Sequence, residues 1–378
     1  MKVCDVVKNS VWFDPRVRKQ IISYMAASDC DVVAIGVEDR RYDKKKVDEY
    51  PCDVKLVHID SKYYGSKRTF FMKIKRELTV NREMKKMLIE CKPDVIHAND
   101  LNALVPAYKA AKKLKCKVIY DSHEVFVENA GIVNHKLIRL IWMAYEKHLI
   151  KRIDKMVCVS HAAAEHIADL YGVEKPMVVT NCSLKSEQTS SEKKNEGFEV
   201  LNHGQFYEGR GYDIMIEAIP LLKEYPEAKL ALRGFGKLED TLKNRAKELG
   251  DENVRFYPKV LVEELIPMAA NAHVGVAITE NICLNFKLSV SNKLFEYASA
   301  GLPVIMSDIP EHRYLNEKYE FGIVIPENTP EEFAKAVLKL YTDSEFYNKC
   351  KANAKKLSDD INWENEFEQL IAFERSIT

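Results

Sequence analysis

Glu296 is the residue whose type and setting most clearly predict chemistry. It lies in the segment 291–305, on the otherwise apolar face of a short predicted helix. Gly301 and Pro303 end that helix, because glycine allows a left-handed cap and proline cannot continue a helix. A carboxylate at the mouth of an α/β sheet is placed to accept two hydrogen bonds from a vicinal diol such as a ribose. A helix–turn–strand corner without a ligand is the alternative.

Two glycine-bearing loops directly follow predicted strands in the same half of the chain. Glycines in the loop 203–211 let backbone N–H groups approach a phosphate at a helix N-terminus, and Arg210 adds a cation. The loop 233–237 lacks the third glycine of the dinucleotide fingerprint, so it gives little support for an NAD site. The first loop therefore predicts a phosphate site, and a simple turn is the alternative.

Polar side chains follow two predicted strands in the first half. The segment 121–124, Asp-Ser-His-Glu, lies at the carboxyl end of one strand, and 97–100, His-Ala-Asn-Asp, takes the equivalent place one strand earlier. Ligand-binding residues of parallel sheets lie at such ends. We expect a functional role for His123 and a structural role for His97.

Composition excludes several classes of protein. With 378 residues, 46% hydrophobic and 30% charged, the chain suits two folded domains and not a disordered protein. Its nine cysteines stand singly, which predicts no zinc site and reduced thiols in the cytoplasm. The N-terminus has no apolar signal core, and charged residues interrupt the apolar helix predicted at 137–150, so we expect no membrane span.

The net charge of zero hides an asymmetry between the two halves. The first 190 residues carry nine more basic than acidic residues, and the remainder has the opposite imbalance. Basic and apolar residues crowd the segment 62–92, which holds ten Lys or Arg against three Glu. This pattern predicts peripheral contact with an anionic membrane at its inner face, and a solvated helix face is the alternative. Signatures of nucleic-acid binding are missing, so we predict no such partner.

Short apolar strands alternate with helices in both halves, which is typical of parallel βαβ units. The predicted fold class is α/β, with two Rossmann-like doubly wound domains facing across a cleft that binds the ligand. The first domain is predicted at 1–184, a polar linker at 185–197 and the second domain at 198–360. The last helix, within 361–378, is expected to pack back onto the first domain.

Taken together, these segments resemble the family 4 group of retaining glycosyltransferases, which have the GT-B fold. The resemblance runs over most of the chain, and its motifs are specific in their ordered combination. They are the segments 14–17, 93–100, 120–124, 157–160, 204–211 and 292–305.

The resemblance implies that the second domain holds a nucleotide-diphosphate sugar and that the first binds the acceptor. Glu296 would take the ribose hydroxyls, Arg210 would replace the family's diphosphate-binding lysine, and Pro258 and Val260 would frame the base. His123 would reach the transferred sugar across the cleft, which makes His123 and Arg210 the predicted catalytic residues. The other predicted site residues are Gly204, Gln205, Gly234, Asn292, Lys293 and Leu294 for the donor, and Asn99, Asp100 and Glu124 on the acceptor side.

Three features depart from the family pattern. Leu288 stands where many members have the first of two glutamates, and Gln205 stands where a loop arginine is usual. These changes remove expected contacts to the sugar hydroxyls and to the diphosphate, so we expect a different sugar pocket. The first loop, 9–13, lacks the paired glycines that many members place near the donor phosphates.

We therefore predict a hexosyltransferase that moves a sugar, with retention, from a UDP- or GDP-sugar to an envelope glycan or lipid-linked acceptor. It would use no metal, no cofactor and no protein nucleophile, because Arg210, backbone amides and Lys293 would take the leaving-group charge. Two alternatives stay open: a non-hydrolysing sugar-nucleotide epimerase, and a nucleotide-sugar-binding scaffold subunit without activity.

Overall fold

Buried strands alternate with helices in two separate units of the chain. A computed structural model describes residues 1–12, 14–38, 52–60, 69–191, 194–249 and 252–378, without the side chain of Phe70. One unit comprises 1–179 and 366–378, and the other comprises 180–365. Part of the predicted basic segment, 61–68, and Phe13 of the first loop lie outside the described residues.

In the described residues of the first unit, seven strands form a parallel sheet in the order β3-β2-β1-β4-β5-β6-β7. Most strand positions are buried, as expected for a sheet covered on both faces. The strands are β1 (Lys2–Val7), β2 (Asp31–Val37), β3 (Asp53–Val57), β4 (Val95–Asn99), β5 (Lys117–Ser122), β6 (Lys155–Cys158) and β7 (Met177–Val178).

Helices connect these strands in the described part of the unit. They are α1 (Pro15–Ala26), α2 (Phe70–Cys91), α3 (Asp100–Leu114), α4 (Ala130–Val133), α5 (Lys136–Ile150) and α6 (His161–Tyr171). Because crossovers between parallel strands are right-handed, the strand order places α1 on one face and α2, α3 and α5 on the other. Asp14 begins α1 by accepting the backbone N–H groups of Arg16 and Val17.

In the part of the second unit that the structure describes, six strands form a parallel sheet in the order β10-β9-β8-β11-β12-β13. The strands are β8 (Phe198–Gln205), β9 (Ala228–Phe235), β10 (Val254–Tyr257), β11 (Val274–Ala277), β12 (Val304–Ser307) and β13 (Gly322–Ile325). The helices are α7 (Tyr212–Glu217), α8 (Glu239–Glu248), α9 (Val262–Ala269), α10 (Leu284–Leu288), α11 (Asn292–Ser299), α12 (Pro310–Tyr319), α13 (Pro330–Thr342) and α14 (Ser344–Asp360). Both units therefore have the predicted parallel α/β architecture.

The segment 185–197, predicted as a linker, belongs to the second unit. The backbone N–H of Thr189 donates to the carbonyl of Ser299 (2.8 Å), and Nζ of Lys194 donates to the carbonyls of Ala270 (2.7 Å) and Ala272 (2.8 Å). These polar residues thus satisfy carbonyl groups at helix ends. The chain passes from the first unit to the second after Val179, a few residues earlier than predicted.

The last helix, α15 (Trp363–Arg375), belongs to the first unit from Glu366 onward. Its Phe367 ring packs edge-on against Tyr24 of α1, with 5.0 Å between the ring centroids. The Tyr24 hydroxyl donates to Oε1 of Glu374 (2.6 Å), which also lies 2.8 Å from Nδ1 of His97. All of these groups are buried, so the helix is held by polar as well as apolar contacts.

A buried charge network connects α15 to the sheet. Nε2 of His97 lies 3.2 Å from Oδ2 of Asp121, and Arg16 donates to both oxygens of that carboxylate (2.8 and 3.0 Å). Burial disfavours the imidazolium, but the hydrogen bonds to Asp121 and Glu374 outweigh it and raise the pKa of His97 to about 10. His97 is therefore a charged residue inside the fold, held between two carboxylates.

Glu374→Ala should destabilise the protein by about 3 kcal/mol, because it leaves the buried imidazolium of His97 without one of its two carboxylate partners. Urea unfolding followed by circular dichroism measures the change. The matched control is Arg375→Ala, one residue further along α15, where an exposed ion pair with Asp29 is lost and the effect should be much smaller. Equal destabilisation by the two variants would contradict the role given to Glu374.

Candidate functional site

Three side chains form a row at the carboxyl end of the second sheet. His203 of β8 is in register with Arg233 of β9, which is in register with Tyr257 of β10. Residues in register on parallel strands point to the same face of the sheet. The Arg233 guanidinium lies 4.7 Å from the centroid of the Tyr257 ring, and its Nη1 lies 3.4 Å from the carbonyl oxygen of Pro258.

Glu296 lies beside this row, on α11. Its Oε2 is 2.7 Å from Nε2 of the buried His203, while 26% of the Glu296 side chain stays exposed. The helix is held close to the sheet because the Tyr297 ring occupies the space above Gly275, where an added Cβ would lie 2.2 Å from the ring. The Tyr297 hydroxyl accepts the backbone N–H of His203 (3.0 Å). The fold therefore holds the Glu296 carboxylate in a fixed position and leaves part of its surface accessible.

Two glycines bring neighbouring backbones into direct contact beside Glu296. A Cβ on Gly234 would lie 1.8 Å from the carbonyl oxygen of Gly204, and φ of Gly234 is +153°. Gly204 has φ of +133°, and Cε of Lys293 packs 3.3 Å from the position of its missing Cβ. Gly234 therefore requires glycine for space and for backbone conformation, and Gly204 requires it for backbone conformation.

Two cations lie near this glycine contact. Arg210 stacks on Phe286 at 4.8 Å, and Nζ of Lys293 donates to Oδ1 of Asn202 (3.0 Å). Burial and the charge of Arg210 together lower the pKa of Lys293 to about 7, against the opposing effect of the Glu296 carboxylate. Burial also lowers the pKa of Arg210. Arg210 and Lys293 thus form a partly desolvated site with two cations that repel each other. A multiply charged anion would bind there favourably, because it would neutralise both charges.

The remaining predicted donor residues differ in exposure. Asn292 and Pro258 are exposed and Val260 is half-buried, whereas Leu294 is fully buried in the core. Leu294 is therefore a packing residue, and its side chain is not accessible to a ligand. Gln205 is exposed, and its carbonyl accepts the hydroxyl of Tyr212 (3.0 Å).

Leu288 ends α10 and is nearly fully buried. An apolar side chain thus occupies the position of the family's first glutamate. A leucine side chain offers no hydrogen bond to a sugar hydroxyl, and the different sugar pocket expected from the sequence stays a prediction.

His123 is the centre of the predicted acceptor-side residues in the first unit. Its Nε2 lies 3.0 Å from Oδ1 of Asn99, and its Nδ1 lies 3.6 Å from Asp14 and 3.8 Å from Asp100. Burial disfavours the charged ring, but the charge of Asp100 and the hydrogen bond with Asp14 raise the pKa of His123 to about 9. The ring is therefore an imidazolium at neutral pH, and 15% of its side chain is exposed.

Hydrogen bonds hold Asn99 and Glu124 in place, whereas Asp100 stands out for its backbone conformation. Nδ2 of Asn99 donates to Asp5 (2.5 Å), which leaves the amide oxygen of Asn99 to face His123. Asp100 has φ of +67°, a left-handed conformation that is strained for a residue with a side chain. Both oxygens of Glu124 accept the amide of Asn129 at 2.8 Å.

Sequence reasoning missed the partners of the predicted residues. In the sequence, Asp14 stands out only within the motif 14–17, and His203, Arg233 and Tyr257 carry no predicted role. Asp14 is the N-cap of α1, whereas His203 and Arg233 lie two positions before the ends of β8 and β9 and Tyr257 ends β10. A polar residue near the carboxyl end of a strand is the signal that could have found the last three. Among the residues that the structure describes, no group of three or more His, Cys, Asp or Glu side chains is arranged to hold a metal ion.

Two family models match consecutive parts of this chain. Residues 16–183 match the model of Glycosyltransferase Family 4, and residues 185–357 match that of Glycosyl transferases group 1. Together they span about nine-tenths of the sequence. The chain belongs to the family 4 group of glycosyltransferases with the GT-B fold, and it is a glycosyltransferase.

A curated relative and two solved structures agree with this family. An uncharacterized glycosyltransferase of Haemophilus influenzae is 23% identical over 275 residues, which is 68% of this chain and 75% of the relative. The crystal structure of Anabaena Alr3699/HepE in complex with UDP and glucose has a TM-score of 0.77 at 15% identity, with 100% of both chains covered. Sucrose-phosphate synthase from Thermosynechococcus elongatus gives the same TM-score and identity over 100% and 99% of the chains. At this identity the two structures show the fold.

Affinity for a nucleoside diphosphate should fall as pH rises from 6 to 8, because a lysine with a pKa of about 7 is charged below that pH and loses its charge above it. Calorimetric titration with UDP and GDP at several pH values measures the effect, which should be several-fold. Lys293→Arg is the control, since arginine stays charged throughout. If the variant showed the same fall as the wild type, the effect would belong to the nucleotide and not to Lys293.

Proposed function

We propose that this glycosyltransferase transfers a sugar from a UDP- or GDP-sugar with retention of configuration, without a metal ion or a cofactor. The observation that carries the proposal is the position of Glu296, held by His203 at 2.7 Å and flanked by Arg210 and Lys293. A diol-binding carboxylate next to two cations fits a ribose joined to a diphosphate.

The nucleoside part of the donor would lie along the row of His203, Arg233 and Tyr257. Glu296 accepts the ribose hydroxyls with its exposed edge, while His203 keeps the carboxylate in place. Pro258 and Val260 follow β10 at the outer end of this row and frame the base. HepE was crystallised with UDP and glucose, which supports a UDP-sugar as the first donor to test.

The diphosphate would lie over the contact of Gly204 with Gly234, where backbone replaces side chains. Arg210 and Lys293 stabilise the negative charge that develops on the leaving group. In comparable sites such stabilisation lowers the activation free energy by several kcal/mol. These cations supply the charge that a divalent metal supplies in other enzymes, which supports transfer without a metal. Retention is proposed from the family 4 motifs, and it requires the acceptor oxygen to attack from the face that the diphosphate leaves.

His123 is proposed as the catalytic hydrogen-bond donor to the transferred sugar, because its ring is charged and partly exposed. Asn99, Asp100 and Glu124 would orient the acceptor. The acceptor itself is proposed to be a lipid-linked or envelope glycan, which the exposed lysines and apolar residues of α2 support.

Calorimetric titration against UDP, GDP, ADP and dTDP, with EDTA and with Mg²⁺, tests the donor site. Either UDP or GDP should bind clearly more tightly than the other three diphosphates, and EDTA should not weaken this binding. The matching sugar nucleotide is then incubated with lipid-linked acceptors, and the anomeric configuration of the product is read by proton NMR. An inverted product would refute retention. Conversion of the donor sugar without an acceptor would indicate an epimerase, and binding without any turnover would indicate a scaffold subunit.

Glu296→Ala should weaken nucleoside diphosphate binding by about 1–3 kcal/mol, because the ribose hydroxyls lose their acceptor. Glu317→Ala, on the exposed side of α12, is the matched control and should bind like the wild type. Unchanged affinity in a folded Glu296→Ala protein would remove Glu296 from the site.

His123→Asn should lower kcat by roughly a hundredfold while leaving nucleotide affinity unchanged, because it removes a charged donor that acts in the transition state. In the wild type, activity that depends on the imidazolium should persist through neutral pH and be lost as pH rises through about 9. A variant whose kcat equals that of the wild type would exclude His123 from catalysis.

A further inference from the structure

The first half of α5 exposes apolar side chains to solvent. Leu137, Leu140 and Ile141 are 73%, 59% and 61% exposed, and Ile138 is about half exposed. The opposite side of the helix is buried, where Glu146 accepts the hydroxyls of Tyr120 and Tyr171 and Leu149 and Ile150 face the core. The buried side thus belongs to the second half of α5, and packing against the sheet does not explain the exposed apolar side chains of its first half.

The exposed side of α5 has basic but no acidic residues. Lys136, Lys147 and His148 are exposed along the helix, and Lys151 follows its end. The only acidic residue of α5 is the buried Glu146. An apolar stripe at helical spacing with flanking cations is the pattern of a helix that lies in the interface of an anionic bilayer.

The neighbouring helices on the same face of the sheet extend this surface. α3 lies between α2 and α5, and its exposed lysines are Lys109, Lys112 and Lys113. On α2, Ile74 and Leu78 are exposed on the side that also carries Lys75 and Arg82. We call the exposed side of α2, α3 and α5 the basic face. It combines two apolar stripes with a row of cations between them.

The apolar stripes lie toward the carboxyl end of the sheet. A crossover helix runs back against its strands, so the first turns of α2 and α5 lie near the ends of the strands that precede them. Asn99 and His123 lie at the ends of β4 and β5, at this same edge. A surface bound to the stripes would therefore present its headgroups close to the acceptor-side residues.

We propose that the basic face, with the apolar start of α5 as its anchor, docks on an anionic lipid bilayer. No helix in the described ranges is long and apolar enough to cross a membrane. The inference rests on the proposed function, because docking at this edge serves an acceptor carried by a lipid. The proposed membrane contact therefore includes α3 and α5 in addition to α2, which lies within the predicted segment 62–92.

Co-sedimentation with vesicles tests the proposal on the full chain. The wild type should pellet with vesicles that contain phosphatidylglycerol and stay in solution with pure phosphatidylcholine, and high salt should release it. Leu140→Gln/Ile141→Gln should lower the partition coefficient by about tenfold or more. Lys109→Gln/Lys112→Gln/Lys113→Gln should weaken binding to the anionic vesicles. The matched control is Ile22→Gln/Leu221→Gln, two exposed apolar residues on α1 and in the second unit, which should pellet like the wild type.

Equal pelleting of the α5 variant and the wild type would overturn the proposal, as would a wild type that binds no vesicle. A wild type that is dimeric in sedimentation velocity, with a monomeric α5 variant, would assign the face to a second copy of the chain and overturn it as well. Titration with UDP and GDP on the same samples separates this outcome from failure of the donor site. The α5 variant should bind nucleotide like the wild type. If no sample bound nucleotide, the proposed function would be refuted, while the co-sedimentation result would still decide the docking proposal.

Discussion

The first unit depends on one buried ion pair between Arg16 of α1 and Asp121 of β5. Burial alone would raise the pKa of Asp121, but Arg16 and His97 hold it well below its usual range. The guanidinium also donates to the carbonyl of Val179 (2.8 Å), where the chain leaves this unit. A charge without a partner in such a place would cost several kcal/mol, so the two residues fix α1, β5 and the end of the unit relative to one another.

The Asp121 carboxylate also connects the buried network to the carboxyl end of the first sheet, where His123 lies. Asp121 lies between His97, which binds Glu374 of α15, and His123, whose Nε2 is 3.8 Å away. Positive and negative groups therefore alternate from the last helix of the chain to the partly buried imidazole of His123. The charge of His123 is a consequence of this arrangement, because each carboxylate near it is held in place by another part of the fold.

The second unit positions its site by a different physical means. There the backbones of Gly204 and Gly234 touch, and no side chain fits between them. Lys293 packs over this contact, and Glu296 follows it by one turn of the same helix. The rigid element is thus backbone, and the charges are placed around it with unfavourable mutual repulsion that a bound diphosphate would relieve.

Much of this could be predicted from the sequence, because it depends on neighbours along the chain. Apolar runs of strand length, the helix stop at Gly301 and the motif around Glu296 are local patterns, and they gave the parallel α/β fold and the family. Contacts between distant segments could not be predicted in this way. Asp14 and His123 are 109 positions apart, and His203 and Glu296 are 93 apart.

The exposure of the apolar side chains at the start of α5 also could not be predicted from the sequence. In the sequence, Leu140 and Ile141 look like core residues, because hydrophobicity does not say which side of a helix meets the sheet. The sequence by itself determined the elements, the fold class and the candidate chemistry of single residues. Only the tertiary structure decided which charges meet, which ring is protonated and which apolar side chains face water, because burial and electrostatic interactions depend on distance in space.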